Sequence, residues 1–268
     1  MSNLALRLLV ASLGIPLLLW CAISGGYWLI GLVAAIQIAL LSEWNNISLK
    51  QGVTLWPLSV ALAVVGIDLF VFADGASWRV GVVLLAIYVW ILLSVFNFAR
   101  KPLQQLGYGA LFLLYAALPI ALWVPLSENS DMVRHSGMGA LALLFAATWL
   151  CDSAAYFGGR TFGKHKLYPA ASPNKTVEGA VSGVIGATVL LPILRVTGLA
   201  EPLPLDYVAL PLVVGIAGQL GDLVESLIKR EAGLKDSSQI IPGHGGVLDR
   251  FDSLLLSSPI FLAYLLLS

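Results

Sequence analysis

Residues 207–227 read YVALPLVVGIAGQLGDLVESL, and residues 226–252 continue as SLIKREAGLKDSSQIIPGHGGVLDRFD. The first stretch has the length and apolar character of a bilayer-crossing helix, which needs about 20 residues. Its acids, Asp222 and Glu225, come only near its end. The second stretch is charged and rich in glycine, and a new apolar run starts at Phe251. A membrane helix, a polar loop and a second membrane helix is the local reading.

The rest of the chain extends this pattern. Of its 268 residues, 59 % are hydrophobic and 11 % charged, whereas a soluble domain carries about 25 % charge. Lipid must therefore be the main solvent. The net charge is zero, so overall charge indicates no partner. Nine apolar runs are long enough to be spans: residues 4–23, 27–44, 53–73, 78–98, 107–126, 137–157, 176–196, 207–227 and 251–267. Turn-forming residues separate them, at Gly25-Gly26, Asp74-Gly75, Arg100-Lys101-Pro102, Glu128-Asn129-Ser130-Asp131 and Glu201-Pro202. The expected fold class is an all-α, polytopic membrane helix bundle of about nine spans. The first pair could instead form one long hairpin. The N-terminal run reads as a signal-anchor, because a second apolar run follows it almost at once.

Sidedness follows from the basic residues. With the N-terminus in the cytoplasm, that side holds Arg7, Lys50, Arg100, Lys101, Arg160, Lys164, Lys166, Lys175, Lys229, Arg230, Lys235 and Arg250. The other side holds only Arg79, Arg134 and Arg195. The chain also divides near residue 130. Residues 1–130 carry sparse, scattered polar groups, and residues 131–268 carry two long cytoplasmic loops dense in charge and glycine.

Acids at a membrane boundary are costly unless paired or functional. Asp152, Glu178, Asp222, Glu225, Asp249 and Asp252 all fall at span ends. Gly218, Asp222, Glu225, Ser226, Lys229 and Arg230 recur at three- and four-residue steps, which puts them on one helical face. Glu225 and Lys229 could simply pair with each other, but Asp222 lies deeper and needs another cation. The loop Pro242-Gly243-His244-Gly245-Gly246 then leads into a helix start carrying Asp249, Arg250 and Asp252. Glycines let backbone N–H groups approach an anion, and the helix dipole favours one there. Carboxylate oxygens suit Mg²⁺, which takes one or two of them beside substrate phosphates. In the earlier loop, Ser172 is expected to cap a helix starting at Pro173, with Lys175 turned to a phosphate. Arg160, Lys164 and Lys166 also fit an ordinary positive-inside loop.

Other features read blandly. Gly179 and Gly183 suggest close helix packing. Asp68 is a lone structural acid, and Cys21 and Cys151 are buried small hydrophobes. His135 and His165 have no ligand spacing. Trp44, Trp56, Trp78 and Trp123 fit an interfacial belt.

The stretch from Ser226 to Asp252, with GDLVES over residues 221–226 and DSAAYFGGRTFGKHKLYPAASPNKTVEG over residues 152–179, resembles the phosphatidate cytidylyltransferases (CDP-diacylglycerol synthases). The likeness spans about residues 148–253. The departure is Ser237-Ser238-Gln239, where the family pattern has an aromatic, a small residue and often Asn. The resemblance implies that CTP and phosphatidate give CDP-diacylglycerol and pyrophosphate, with Mg²⁺ and a monovalent cation such as K⁺. It implies Asp222 and Asp249 as metal ligands. Lys229, Arg230, Lys235, His244 and Arg250 would hold the triphosphate or the lipid phosphate. Asp152, Lys175, Ser226, Gly245, Gly246 and Asp252 would complete the substrate-binding wall. It further implies a homodimer in the inner (plasma) membrane, working from the cytoplasmic side on CTP and lipid, with no nucleic acid. A CTP-dependent lipid kinase, a secondary transporter and a CDP-alcohol phosphotransferase are the rival readings. The last lacks its closely spaced DG…AR…D…D run here.

Overall fold

Uninterrupted apolar sequence in lipid favours helix, because only a helix satisfies every backbone group within its own segment. The computed structural model describes residues 3–72, 78–96, 101–128 and 139–268. Each predicted apolar run forms a helix there. We number them α1 (Asn3–Ser24), α2 (Gly26–Lys50), α3 (Pro57–Phe72), α4 (Trp78–Phe96), α5 (Pro102–Glu128), α6 (Ala140–Phe162), α7 (Val177–Val196), α8 (Asp206–Glu231) and α9 (Leu248–Leu267). Seven are long and apolar enough to cross a membrane, and α3 and α4 are shorter apolar helices. The first pair is two helices, broken where Gly25 and Gly26 adopt φ of 59° and 52°. The predicted turns at Asp74-Gly75 and Asn129-Ser130-Asp131, with Arg100, Arg134 and His135, lie outside the described residues, as do the side chains of Trp78 and Arg79.

One small sheet interrupts the helices. Strands β1 (Lys166–Tyr168) and β2 (Ser172–Thr176) pair antiparallel, with Lys166 opposite Thr176 and Tyr168 opposite Ser172. Ser172 therefore does not cap a helix. Pro173 lies within β2, and Thr176 is the N-cap of α7, its Oγ1 accepting from Gly179 N at 3.1 Å.

Small residues bring α6 and α7 together as expected. A Cβ on Gly179 would stand 2.8 Å from Ala155 O and 3.0 Å from Gly159 Cα, and one on Gly183 would stand 3.0 Å from Cys151 Sγ. Cys21 and Cys151 are both buried thiols. Asp68 gains a partner, since Gln37 Nε2 donates to it at 2.9 Å and to Ala117 O at 3.1 Å. The belt expectation fails for Trp44 and Trp123, both fully buried. Trp44 packs beside Phe112 and Tyr115 and donates to Tyr108 O; Trp123 meets Phe145 and Phe251 edge-on. The bundle needs large rings to fill its centre, and that outweighs interfacial anchoring.

Candidate active site

Helices α8 and α9 meet closely at Gly221, where a Cβ would press on Asp252 O. Tyr115 of α5 donates to Gly221 O at 2.8 Å, and Gln219 donates to Ala180 O of α7 at 3.0 Å. These contacts fix the turn of α8 that carries Asp222. A cavity of about 580 Å³ opens beside it. One wall is charged and polar: Asp152, Asp222, Lys229, Asp236, His244, Asp249, Arg250 and Asp252. The other is apolar and comes from α1, through Val10, Ala11, Gly14, Ile15 and Leu18. Arg7 Nε donates to Gly243 O at 2.8 Å, which ties α1 to the loop before α9.

A second cavity, of about 470 Å³, lies against the hairpin. Its polar lining includes Asp152, Tyr156, Arg160, Asn174, Lys175, Gln219 and Asp222. Asp152 and Asp222 thus line both cavities. Lys175 Nζ stands 2.5 Å from Asp222 Oδ2, so the lysine turns to a carboxylate rather than outward. Ser226 Oγ lies 3.4 Å from Asp222 Oδ1, a long contact. Asp152, Asp222 and Asp252 act on one another electrostatically, with Lys175 the cation acting on both Asp152 and Asp252. The hairpin is held by Glu178, which accepts from the backbone N–H groups of Lys164 and His165 and lies 2.6 Å from His165 Nδ1. His165, read blandly from sequence, therefore serves the hairpin.

Asp249 is heavily engaged. Its Oδ1 meets Lys229 Nζ at 2.5 Å, and its Oδ2 accepts from Ser237 N, Ser237 Oγ and Gly246 N at 3.0, 3.0 and 2.8 Å. Lys229 also lies 2.7 Å from Glu225 Oε2, an ion pair off the hydrogen-bond line. Sequence reading missed Glu43 of α2. This fully buried residue accepts at Oε1 from Ser238 Oγ (2.6 Å) and Val247 N (2.7 Å), and at Oε2 from Ser237 Oγ (2.9 Å) and Leu248 N (2.8 Å).

The sequence has relatives among known proteins. The model of the cytidylyltransferase family matches residues 5–268. The chain belongs to that family. Among its relatives, the phosphatidate cytidylyltransferase of Bacillus subtilis (strain 168) is 38 % identical over 200 residues, 74 % of this chain and 71 % of the relative. That of Staphylococcus haemolyticus (strain JCSC1435) is 32 % identical over 255 residues, covering 95 % and 96 %. That of Brucella suis biovar 1 (strain 1330) is 35 % identical over 260 residues, covering 96 % and 92 %.

For a cytidylyltransferase, the expected site residues divide into two groups. The structure brings Asp152, Asp222, Lys229, His244, Asp249, Arg250 and Asp252 to one cavity, adds Asp236, and sets Lys175 against Asp222. It does not bring Arg230 or Lys235 there. Arg230 is exposed and donates to Leu234 O at 2.8 Å, closing the end of α8, and Lys235 is exposed. The expected anion seat at the start of α9 is also taken. Gly246 N–H goes to Asp249, and the N–H groups of Val247 and Leu248 go to Glu43. A protein carboxylate sits where a phosphate was anticipated, because it satisfies the same orphan donors and dipole. The shape of the loop also requires Gly245 and Gly246. Gly245 has a φ of 85°, and a Cβ on Gly246 would overlap Ser237 Oγ and come within 2.8 Å of Glu43.

The donor set suits a divalent cation that shares its ligands with substrate. Among the described residues, no three His, Cys, Asp or Glu side chains are grouped to hold a metal alone. Mg²⁺ does not require that, since one or two carboxylates plus phosphate and water oxygens suffice. Asp222 and Asp249 line the same cavity, with the Asp152 and Asp252 carboxylates beside them.

Proposed function

We propose that the chain transfers the cytidylyl group of CTP to phosphatidate, giving CDP-diacylglycerol and pyrophosphate. One observation carries this reading. Two cavities share Asp152 and Asp222, and one of the two has an apolar helix for a wall. A reaction between a water-soluble nucleotide and a lipid needs such a junction. The acyl chains would lie along α1, with the phosphate near Arg250, His244 and Lys229. The nucleotide would lie toward Arg160 and Asn174.

A lipid phosphate oxygen attacks the α-phosphorus of CTP, and the bond to the pyrophosphate oxygen breaks. Both partners are anionic, so the protein's task is positioning and charge neutralisation. Arg250 and Lys229 would hold phosphate oxygens, and His244 would donate to one. Asp222 and Asp249 would hold Mg²⁺, with a monovalent cation such as K⁺ nearby. Bound there, the metal would neutralise phosphate charge. The asymmetry of basic residues favours a cytoplasmic N-terminus and a cytoplasmic site in the inner membrane. Homodimerisation, which the resemblance implies, belongs to the same proposal.

The test is direct. Purified protein is given CTP, Mg²⁺ and phosphatidate, and both pyrophosphate and cytidine-bearing lipid are measured. Equal amounts of the two are expected. Release of CDP would instead indicate a lipid kinase, and CTP consumption that ignores lipid would sink the assignment.

A further inference from the structure

We infer that Glu43, on α2, is a positioning residue that holds the Ser237–Leu248 loop and the start of α9 in the geometry that presents Asp249. The inference rests on the reading of Asp249 as part of the catalytic site.

The carboxylate of Glu43 is fully buried, with Leu40, Trp44 and Ile47 of its own helix buried around it. A buried charge of this kind needs full hydrogen-bond compensation. Four donor groups face it, all from residues 194 to 205 positions later in the chain, and one of them, the Ser237 hydroxyl, is shared with Asp249. Each oxygen takes one serine hydroxyl and one backbone N–H. The backbone donors, Val247 and Leu248, are the orphan N–H groups at the start of α9.

Ser237 extends the effect to the site. Its hydroxyl lies 2.9 Å from Glu43 Oε2 and 3.0 Å from Asp249 Oδ2. One hydroxyl hydrogen can serve only one of them at a time, so Ser237 links the two carboxylates. Ser237 N also donates to Asp249 at 3.0 Å. A path of direct contacts therefore runs from α2 to the carboxylate proposed to hold the metal. The hydroxyls of Ser237 and Ser238 are the two that Glu43 accepts.

Glu43→Gln is the informative variant. It keeps the volume but replaces one oxygen with an NH₂ group. In either orientation that group faces a backbone N–H, of Val247 or of Leu248, which cannot reverse its role. Ser237→Ala is the second variant, since it removes only the hydroxyl link.

Two measurements are made on full-length protein in detergent. Hydrogen exchange is followed by mass spectrometry over residues 237–249, and turnover is followed against Mg²⁺ concentration. In Glu43→Gln, exchange in that segment should quicken at least tenfold while α6 peptides stay unchanged. The turnover number should fall tenfold or more, with a higher Mg²⁺ midpoint and a smaller change in KM for phosphatidate. Ser237→Ala should shift the Mg²⁺ midpoint the same way with normal thermal stability. Unchanged exchange in Glu43→Gln overturns the proposal. So does quickened exchange with wild-type turnover and Mg²⁺ midpoint. If Glu43→Gln does not fold, a wild-type Mg²⁺ midpoint in Ser237→Ala overturns it. Wild-type protein that forms no pyrophosphate would refute the functional reading instead, and the exchange result would still decide whether Glu43 holds the loop.

Discussion

The ammonium of Lys175, on strand β2, stands 2.5 Å from the carboxylate of Asp222, on α8. It brings a positive charge among Asp152, Asp222 and Asp252. Lys175→Ala should leave three carboxylates repelling one another, and turnover should fall by about a hundredfold, the size of effect seen when a preorganised electrostatic group is lost. Lys175→Arg should recover part of it. Steady-state assays across Mg²⁺ concentrations would check this. Wild-type turnover in Lys175→Ala would show that the lysine only fastens the hairpin.

Asp222 and Asp249 reach one cavity from different helices. Asp222→Asn and Asp249→Asn should each abolish nearly all turnover while the protein still inserts. If both serve one metal, the double variant should be scarcely worse than either single one, because residues acting as a unit are strongly non-additive. The comparison requires turnover of all three variants, with thermal unfolding to confirm that each is folded. Near-normal Mg²⁺ dependence in Asp249→Asn would place the metal elsewhere.

Lys229 lies between two acids, 2.7 Å from Glu225 and 2.5 Å from Asp249. Glu225→Gln should be the milder change, since it keeps the volume and leaves the lysine paired with Asp249. Lys229→Met should be severe. It strands two acids in a buried setting, and breaking a buried pair in this way costs about 3–5 kcal/mol. Thermal denaturation in detergent should rank Lys229→Met well below Glu225→Gln. The reverse order would refute the assigned pairing.

The ends of the bundle can be told apart. A Cβ on Gly139, at the start of α6, would meet the backbone of Ser127, and one on Gly25 would meet its hydroxyl. Glu128 therefore shares an end with the α1–α2 break. Lys164 and Lys235 follow the far ends of α6 and α8. Cys21 and Cys151 are buried, so single cysteines placed at positions 128, 164 and 235 can be probed with an impermeant thiol reagent in intact cells. Only position 128 should label. Labelling at 164 or 235 would invert the proposed orientation.

Much of the bundle was legible in the chain because its signals are local. A run of apolar residues long enough to span lipid has few structural choices, and each of the nine runs is a helix among the described residues. The Glu225–Lys229 pair was equally plain, since helical spacing alone brings positions four apart together. So was the Gly179–Gly183 contact with α6. The motif residues from Asp222 to Asp252 marked a candidate site by their kind and spacing, and most of them line one cavity.

What the chain could not reveal was which groups consume one another. Glycines before a helix start looked like a seat for phosphate, yet Glu43 already fills it from about 200 positions earlier in the sequence. Nothing near Glu43 signals this, because a single acid carries no spacing to read and its donors lie in a distant segment. Arg230 has the chemistry of a phosphate ligand, and nothing in its spacing announced that it would also donate to the carbonyl of Leu234. Trp44 and Trp123 had the composition of a membrane boundary and were drawn inside by the volume they fill. Apolar length and helical spacing act through near neighbours, so sequence determined the helices and the face that carries the acids. Hydrogen-bond donors and interior volume are shared among distant segments, so only the packed bundle decided which carboxylate met which partner.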